Sequence, residues 1–225
     1  AAAEDVMVAR DILLAELTGA RYHVAHISTR RAVAMVEYAK QRGLPVSAEA
    51  TPHHLALHTG LMRPYDSHFK MKPPIREPED AAAVATALAS GAVDCLATDH
   101  APHPGDDKMQ EFERCPFGIT GLETALGVSL DVLVHSGLMS LNRLIALYTS
   151  EPARIIGWRG PLERGSLRPG AVGNVTIFHP DYPWTYDVSK TESKSSNTPF
   201  NGRKFHGGPI VTIVGGKIVW RLSGY

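Results

Sequence analysis

Asp99 ends an apolar run, Val93–Thr98, and opens the stretch Asp99-His100-Ala101-Pro102-His103. A carboxylate placed there can ligate a divalent metal and also move a proton of water. The same residue type caps proline-containing turns, and residue chemistry alone leaves the two readings level. His26 closes a second run, Tyr22–Ser28, where a neutral imidazole could bind a metal. Eleven histidines is a high count for 225 residues. A lone histidine is nevertheless more often a surface or satisfied core residue, and His58, His68, His135, His179 and His206 stand in no partner motif. Pro73-Pro74 and Phe117-Gly118 read as loop pieces. The prolines stiffen the chain; Gly118 permits either a turn or close approach of backbone to a ligand.

The elements that must position these groups alternate. Val6, Ala9, Ile12, Leu13 and Leu17 recur at helical spacing over residues 4–19, before Gly19. Further helices are predicted over Arg30–Arg42, Pro78–Ser90, 121–136 and 140–149, with a short one opening at Ser150-Glu151-Pro152. Strands are predicted at Tyr22–Ser28, Val46–Ala50 and Val93–Thr98. Strands separated by such helices argue for parallel βαβ units. Each strand is followed by polar groups, as at the mouth of a (β/α)₈ barrel; on periodicity alone an open doubly wound sheet fits as well.

The last sixty or so residues read as β. Asn174–His179 is one predicted strand, and Pro209–Val214 and Lys217–Arg221 flank Gly215-Gly216, a hairpin signal. Ser189–Asn197 reads as a polar loop. The expected division is residues 1–160 and 161–225.

With 23 basic and 23 acidic residues the net charge is zero, which offers no electrostatic reason for a nucleic-acid or anionic-membrane partner. No apolar run is long enough to span a bilayer, and no secretion leader is visible. Cys95 and Cys115 lack the spacing of a structural zinc motif, so reduced thiols in a cytoplasmic protein are the expectation.

Six segments in order resemble the dihydroorotase branch of the amidohydrolase superfamily: HISTRRAV (26–33), EATPHHL (49–55), KMKPPIRE (70–77), DCLATDHAPH (94–103), PFGITGLETAL (116–126) and SNTPFNG (196–202). Hydantoinases and allantoinases share the Asp-His-Ala-Pro loop but are less similar at Thr51-Pro52-His53-His54 and at SNTPF. The resemblance implies an α/β fold, the C-terminal part of a (β/α)₈ TIM barrel with a small portion of a flanking β-sandwich. It implies one or two zinc ions and reversible hydrolysis of the cyclic amide of dihydroorotate to carbamoyl-aspartate, in pyrimidine synthesis.

Residue by residue, His26 and Asp99 match metal ligands, and Asp99 also the general base and acid. His103, Phe117 and Gly118 match the substrate side, and so does Lys72, which stands where many members have asparagine. The chain opens on Ala1-Ala2-Ala3-Glu4, and the family's His-x-His motif is absent from it. The resemblance therefore implies roughly 200 residues upstream of a barrel of about 250, and no activity for these residues alone. A homodimer, or a complex with aspartate transcarbamoylase, is the implied assembly. The alternatives are a hydantoinase-type enzyme or a non-catalytic subunit that supports the transcarbamoylase.

Overall fold

The computed structural model describes residues 1–158 and 164–224. Helix α1 (Ala2–Thr18) leads into strand β1 (Tyr22–Val24), helix α2 (Arg30–Gln41), strand β2 (Val46–Ala50), helices α3 (Pro52–Ala56) and α4 (Pro78–Ser90), and strand β3 (Cys95–Leu96). The strands pair in parallel in the order β1-β2-β3, with His23 opposite Ser47 and Glu49 opposite Cys95. These are the expected βαβ units. Local chemistry starts α2 and α3: the Thr29 and Thr51 hydroxyls accept from the amides of Ala32 and His54, and Pro52 stands in the first turn of α3.

Strand periodicity divides the two faces of this sheet. Val46, Ala48 and Ala50 of β2 are buried in one core with Val36, Val84 and Leu88. Ser47 and Glu49 alternate with them and are half-buried on the other face.

Two strands are shorter than the sequence predicts. The first stops at Val24 rather than Ser28, because Ala25-His26 turns out of the ladder. The third shrinks to Cys95–Leu96, although the amides of Asp94 and Ala97 still reach Ala48 O and Ala50 O. The helix predicted over 121–136 starts late, as α6 (Ala125–Ser129), and widens into a π-turn at Leu130–His135. Helices α5 (Gly105–Lys108), α7 (Leu141–Tyr148) and α8 (Ser150–Ile156) complete the set. The boundary expected at 160/161 lies outside the described residues.

The tail is an antiparallel sheet, β4 (Val175–Thr185), β5 (Lys204–Val214) and β6 (Lys217–Arg221). Gly215 and Gly216 take φ 57° and 79° in the β5–β6 turn, so the hairpin signal is borne out. Strand β4 runs past its predicted end through Pro180 and Pro183, with register shifts between Ile177 and Phe178 and between His179 and Pro183, the second spanning both prolines. Bulges are where prolines are tolerated in a ladder. Phe205 of β5, fully buried, joins this sheet to Val128 of α6 in a second core. Among the described residues, no helix is long and apolar enough to cross a membrane.

Candidate active site

His26 and Asp99 each stand directly beyond a parallel strand, and both have left-handed backbone, φ 40° and 47°. Only Tyr65 shares that property among the described non-glycine residues. Such conformations cost about 1–3 kcal/mol each and persist where the surroundings hold them. Both side chains are half-buried. His26 Nδ1 is buried without a hydrogen-bond partner. Burial pushes the Asp99 carboxyl above its ordinary value, while the nearby His26 pulls it down and Glu49 pushes it up. His26, Asp99 and Glu49 thus share one electrostatic neighbourhood.

The turn carrying His26 is pinned from behind. Ile27 N donates to Glu49 O at 2.8 Å, which extends the β1–β2 ladder past His26. Glu4 of α1 accepts from Ser28 N at 2.8 Å, Thr29 N at 3.1 Å and the Ser28 hydroxyl, and pairs with Arg76 at 3.0 Å. Arg76 Nε also donates to Ser28 Oγ.

Of the remaining expected residues, the structure ties three together. His103 Nε2 donates to Phe117 O at 2.9 Å, and His103 N donates to Asn197 Oδ1 at 3.1 Å. Asn197 Nδ2 donates to Ala101 O and Gly118 O. Gly118 has φ 121°, and a Cβ there would stand 2.4 Å from Ala101 Cβ, so no other residue fits. Its backbone is fully used within the loop: the amide donates to Lys70 O and the carbonyl accepts from Lys108 and Asn197. Phe117 is exposed, with Lys70 Nζ 4.6 Å from its ring centre. Lys72 is exposed, and no hydrogen bond or ion pair among the described residues joins it to this cluster.

Several contributors escaped the sequence reading. Lys70 and Lys108 are buried, yet each finds carbonyl acceptors in the 112–118 loop: Phe112, Glu113 and Cys115 for Lys70, Pro116 and Gly118 for Lys108. Asn197 is buried at 2% exposure. His53 is buried with neither ring nitrogen partnered, and burial, then His54 and His26, hold it well below the ordinary histidine value. His54 is satisfied by Thr51 Oγ1 and Pro73 O, and burial lowers it to about 4. His100 Nδ1 accepts from Gly121 N and Leu122 N, also a structural duty.

Asn197 is the hub of the loop cluster. Asn197→Ala takes the acceptor from His103 N and a donor from Ala101 O, while Gly118 O keeps Lys108, at about 1–3 kcal/mol for each group left unsatisfied. We expect a lower melting temperature and faster proteolysis within residues 101–118; an unchanged cleavage pattern would deny the hub role.

The amidohydrolase family model matches residues 2–219. The dihydroorotase of Solibacter usitatus is 58% identical over 220 residues, 98% of this chain and 50% of that protein. The dihydroorotase of Endomicrobium trichonymphae is 44% identical over 98% of this chain and 51% of that protein. The chain thus spans about half the length of the curated relatives it matches. Among solved structures, the dihydropyrimidinase of Brevibacillus agri superposes with TM-score 0.89 at 25% identity, over 96% of this chain and 48% of that one. The L-hydantoinase of Arthrobacter aurescens gives 0.87 at 28%, over the same shares. Two parallel βαβ units that end in strained His26 and Asp99 agree with that match: the chain belongs to the amidohydrolase family.

Proposed function

We propose that these residues are the C-terminal half of a zinc-dependent dihydroorotase, comprising the last strands of a (β/α)₈ barrel and part of a flanking β-sandwich. The observation that carries the reading is 58% identity to a dihydroorotase across 98% of the chain. The hydantoinase alternative is weaker, since the hydantoinase and dihydropyrimidinase structures reach only 22–28% identity. The supporting-subunit alternative is disfavoured because His26, Asp99 and His103 are all present.

His26 and Asp99 would hold the zinc. The unpartnered, buried Nδ1 of His26 and the half-buried Asp99 carboxylate suit a cation. When bound, zinc polarises the amide carbonyl and makes water more acidic. Asp99 accepts a proton of the attacking water and later delivers it to the ring nitrogen as the C–N bond breaks, giving carbamoyl-aspartate. His103 and Lys72 would meet the substrate, Lys72 as a point charge for a carboxylate, and Phe117 and Gly118 would line the site. The cytoplasm, where Cys95 and Cys115 would stay reduced, is the proposed setting. A homodimer or a transcarbamoylase complex is the proposed assembly.

The test is complementation. We expect the purified chain with zinc to leave dihydroorotate unchanged, since His26 and Asp99 are fewer than the three protein ligands of a catalytic zinc. Adding the N-terminal half of the Solibacter dihydroorotase should restore turnover of dihydroorotate in preference to hydantoin. Preference for hydantoin would favour the alternative enzyme, and a folded but inactive complex the supporting subunit.

A further inference from the structure

On the sheet face turned away from the helices, each strand offers one side chain able to bind a metal: His23 from β1, Glu49 from β2 and Cys95 from β3. Their donor atoms all lie within 4.8 Å of one another. His23 Nε2 is 3.2 Å from Glu49 Oε2, and His23 Nδ1 is 2.7 Å from Ser47 Oγ. The parallel register fixes the three positions, since His23 faces Ser47 and Glu49 faces Cys95 across hydrogen-bonded ladders. The cluster therefore sits on rigid backbone, earlier on its strands than His26 and Asp99. We propose that His23, Glu49 and Cys95 form a binding site for a thiophilic divalent cation such as zinc or cobalt(II).

Four arguments carry it. Imidazole nitrogen, carboxylate oxygen and thiolate sulfur make a three-ligand set that zinc accepts with a water in the fourth position. The sulfur selects against magnesium and calcium, which prefer oxygen alone. With a cation bound, Ser47 Oγ supplies the outer hydrogen bond, accepting from Nδ1–H and leaving the Nε2 lone pair for the metal. Without one, the other tautomer lets Nε2–H donate to Glu49 Oε2 at 3.2 Å, so metal binding replaces that contact with bonds from both atoms to the cation. The side chains of His23 and Glu49 remain 30% and 22% exposed, which leaves a way in, while Cys95 is 3% exposed. Burial, then Glu49 and Asp94, hold the Cys95 thiol up at about 12. Binding therefore displaces its proton to the buffer, and the dication offsets the thiolate and carboxylate charges. None of this rests on the hydrolase reading.

The test is titration of the 225-residue chain with cobalt(II), followed by absorption, with folding checked by circular dichroism. The expected result is a single equivalent bound with a thiolate-to-cobalt charge-transfer band in the near ultraviolet. Cys95→Ser should remove that band, and His23→Ala should weaken binding by about tenfold or more. Cys115→Ser, His26→Ala and Asp99→Asn should all keep the band. If Cys95→Ser fails to fold, His23→Ala and Glu49→Gln, tested separately, decide. A wild-type chain without the band, a band that survives Cys95→Ser, or one lost with His26→Ala or Asp99→Asn overturns the proposal.

Discussion

Asp99→Asn is expected to lower dihydroorotate turnover of the complemented protein by about 10²- to 10⁴-fold, the range that general acid–base catalysis supplies. The same change should raise the melting temperature of the metal-free chain at neutral pH. Both effects come from one carboxylate. Burial, only partly offset by His26, pushes the folded-state value of Asp99 above the 3.8 of a free aspartate. The folded chain then binds this proton more tightly than the unfolded chain does. Stability is lost as pH rises from the unfolded value through the folded one, and the loss is complete above both. Asparagine carries no charge to desolvate, and it tolerates the left-handed backbone at φ 47°. Melting curves with chelator should show the gain at pH 7 and its disappearance below the unfolded value, where both variants are neutral. Near-normal turnover would remove Asp99 from the proton-transfer role. A lower melting temperature at pH 7 would deny the electrostatic account.

The positions of His26 and Asp99 were legible because an apolar run followed by a polar stop marks a strand end, whatever lies around it. Their backbone was not legible. Left-handed φ at histidine and aspartate occurs where the chain leaves the ladder, close to the contacts of Ile27 and Ala97 on either side of β2, and local sequence does not encode such contacts. The His23, Glu49 and Cys95 cluster was missed for a related reason. Its members come from three strands of 3, 5 and 2 residues, too short for alternation to be read, and cysteine spacing along the chain says nothing about neighbours across a sheet. Lys70 and Lys108 were not singled out, because sequence does not reveal that one loop offers both of them carbonyl oxygens in place of water. In the tail, Pro180 hid the second half of β4, where bulges absorb what a regular ladder would not. Helix α6 began late because Gly121–Thr124 is spent on a turn that anchors to His100.

Glu4→Ala should be among the most damaging changes outside the strand ends, destabilising the chain by about 3–5 kcal/mol, the usual result of breaking a buried ion pair. Glu4 and Arg76 have side chains only 13% exposed. Removing the carboxylate leaves Arg76 uncompensated and takes the acceptor from Ser28 N, Thr29 N and the Ser28 hydroxyl together. Those two amides open the N-terminus of α2, where a negative charge is further favoured by the helix dipole. Glu4→Gln keeps an acceptor oxygen and loses only the charge, so its cost should be smaller. Arg76→Met in the Glu4→Ala background should recover part of the loss, because the guanidinium left without a partner is then gone as well. Denaturant unfolding of these three variants and of Arg76→Met alone measures this, and additive costs would show that the two side chains are not coupled. The same set reaches function through His26, two residues before Ser28 in the turn that Glu4 holds. Faster amide exchange at Ile27 and Ser28 in Glu4→Ala, with exchange in β4–β6 unchanged, is the expected sign that Glu4 holds the His26 turn and does more than add to global stability.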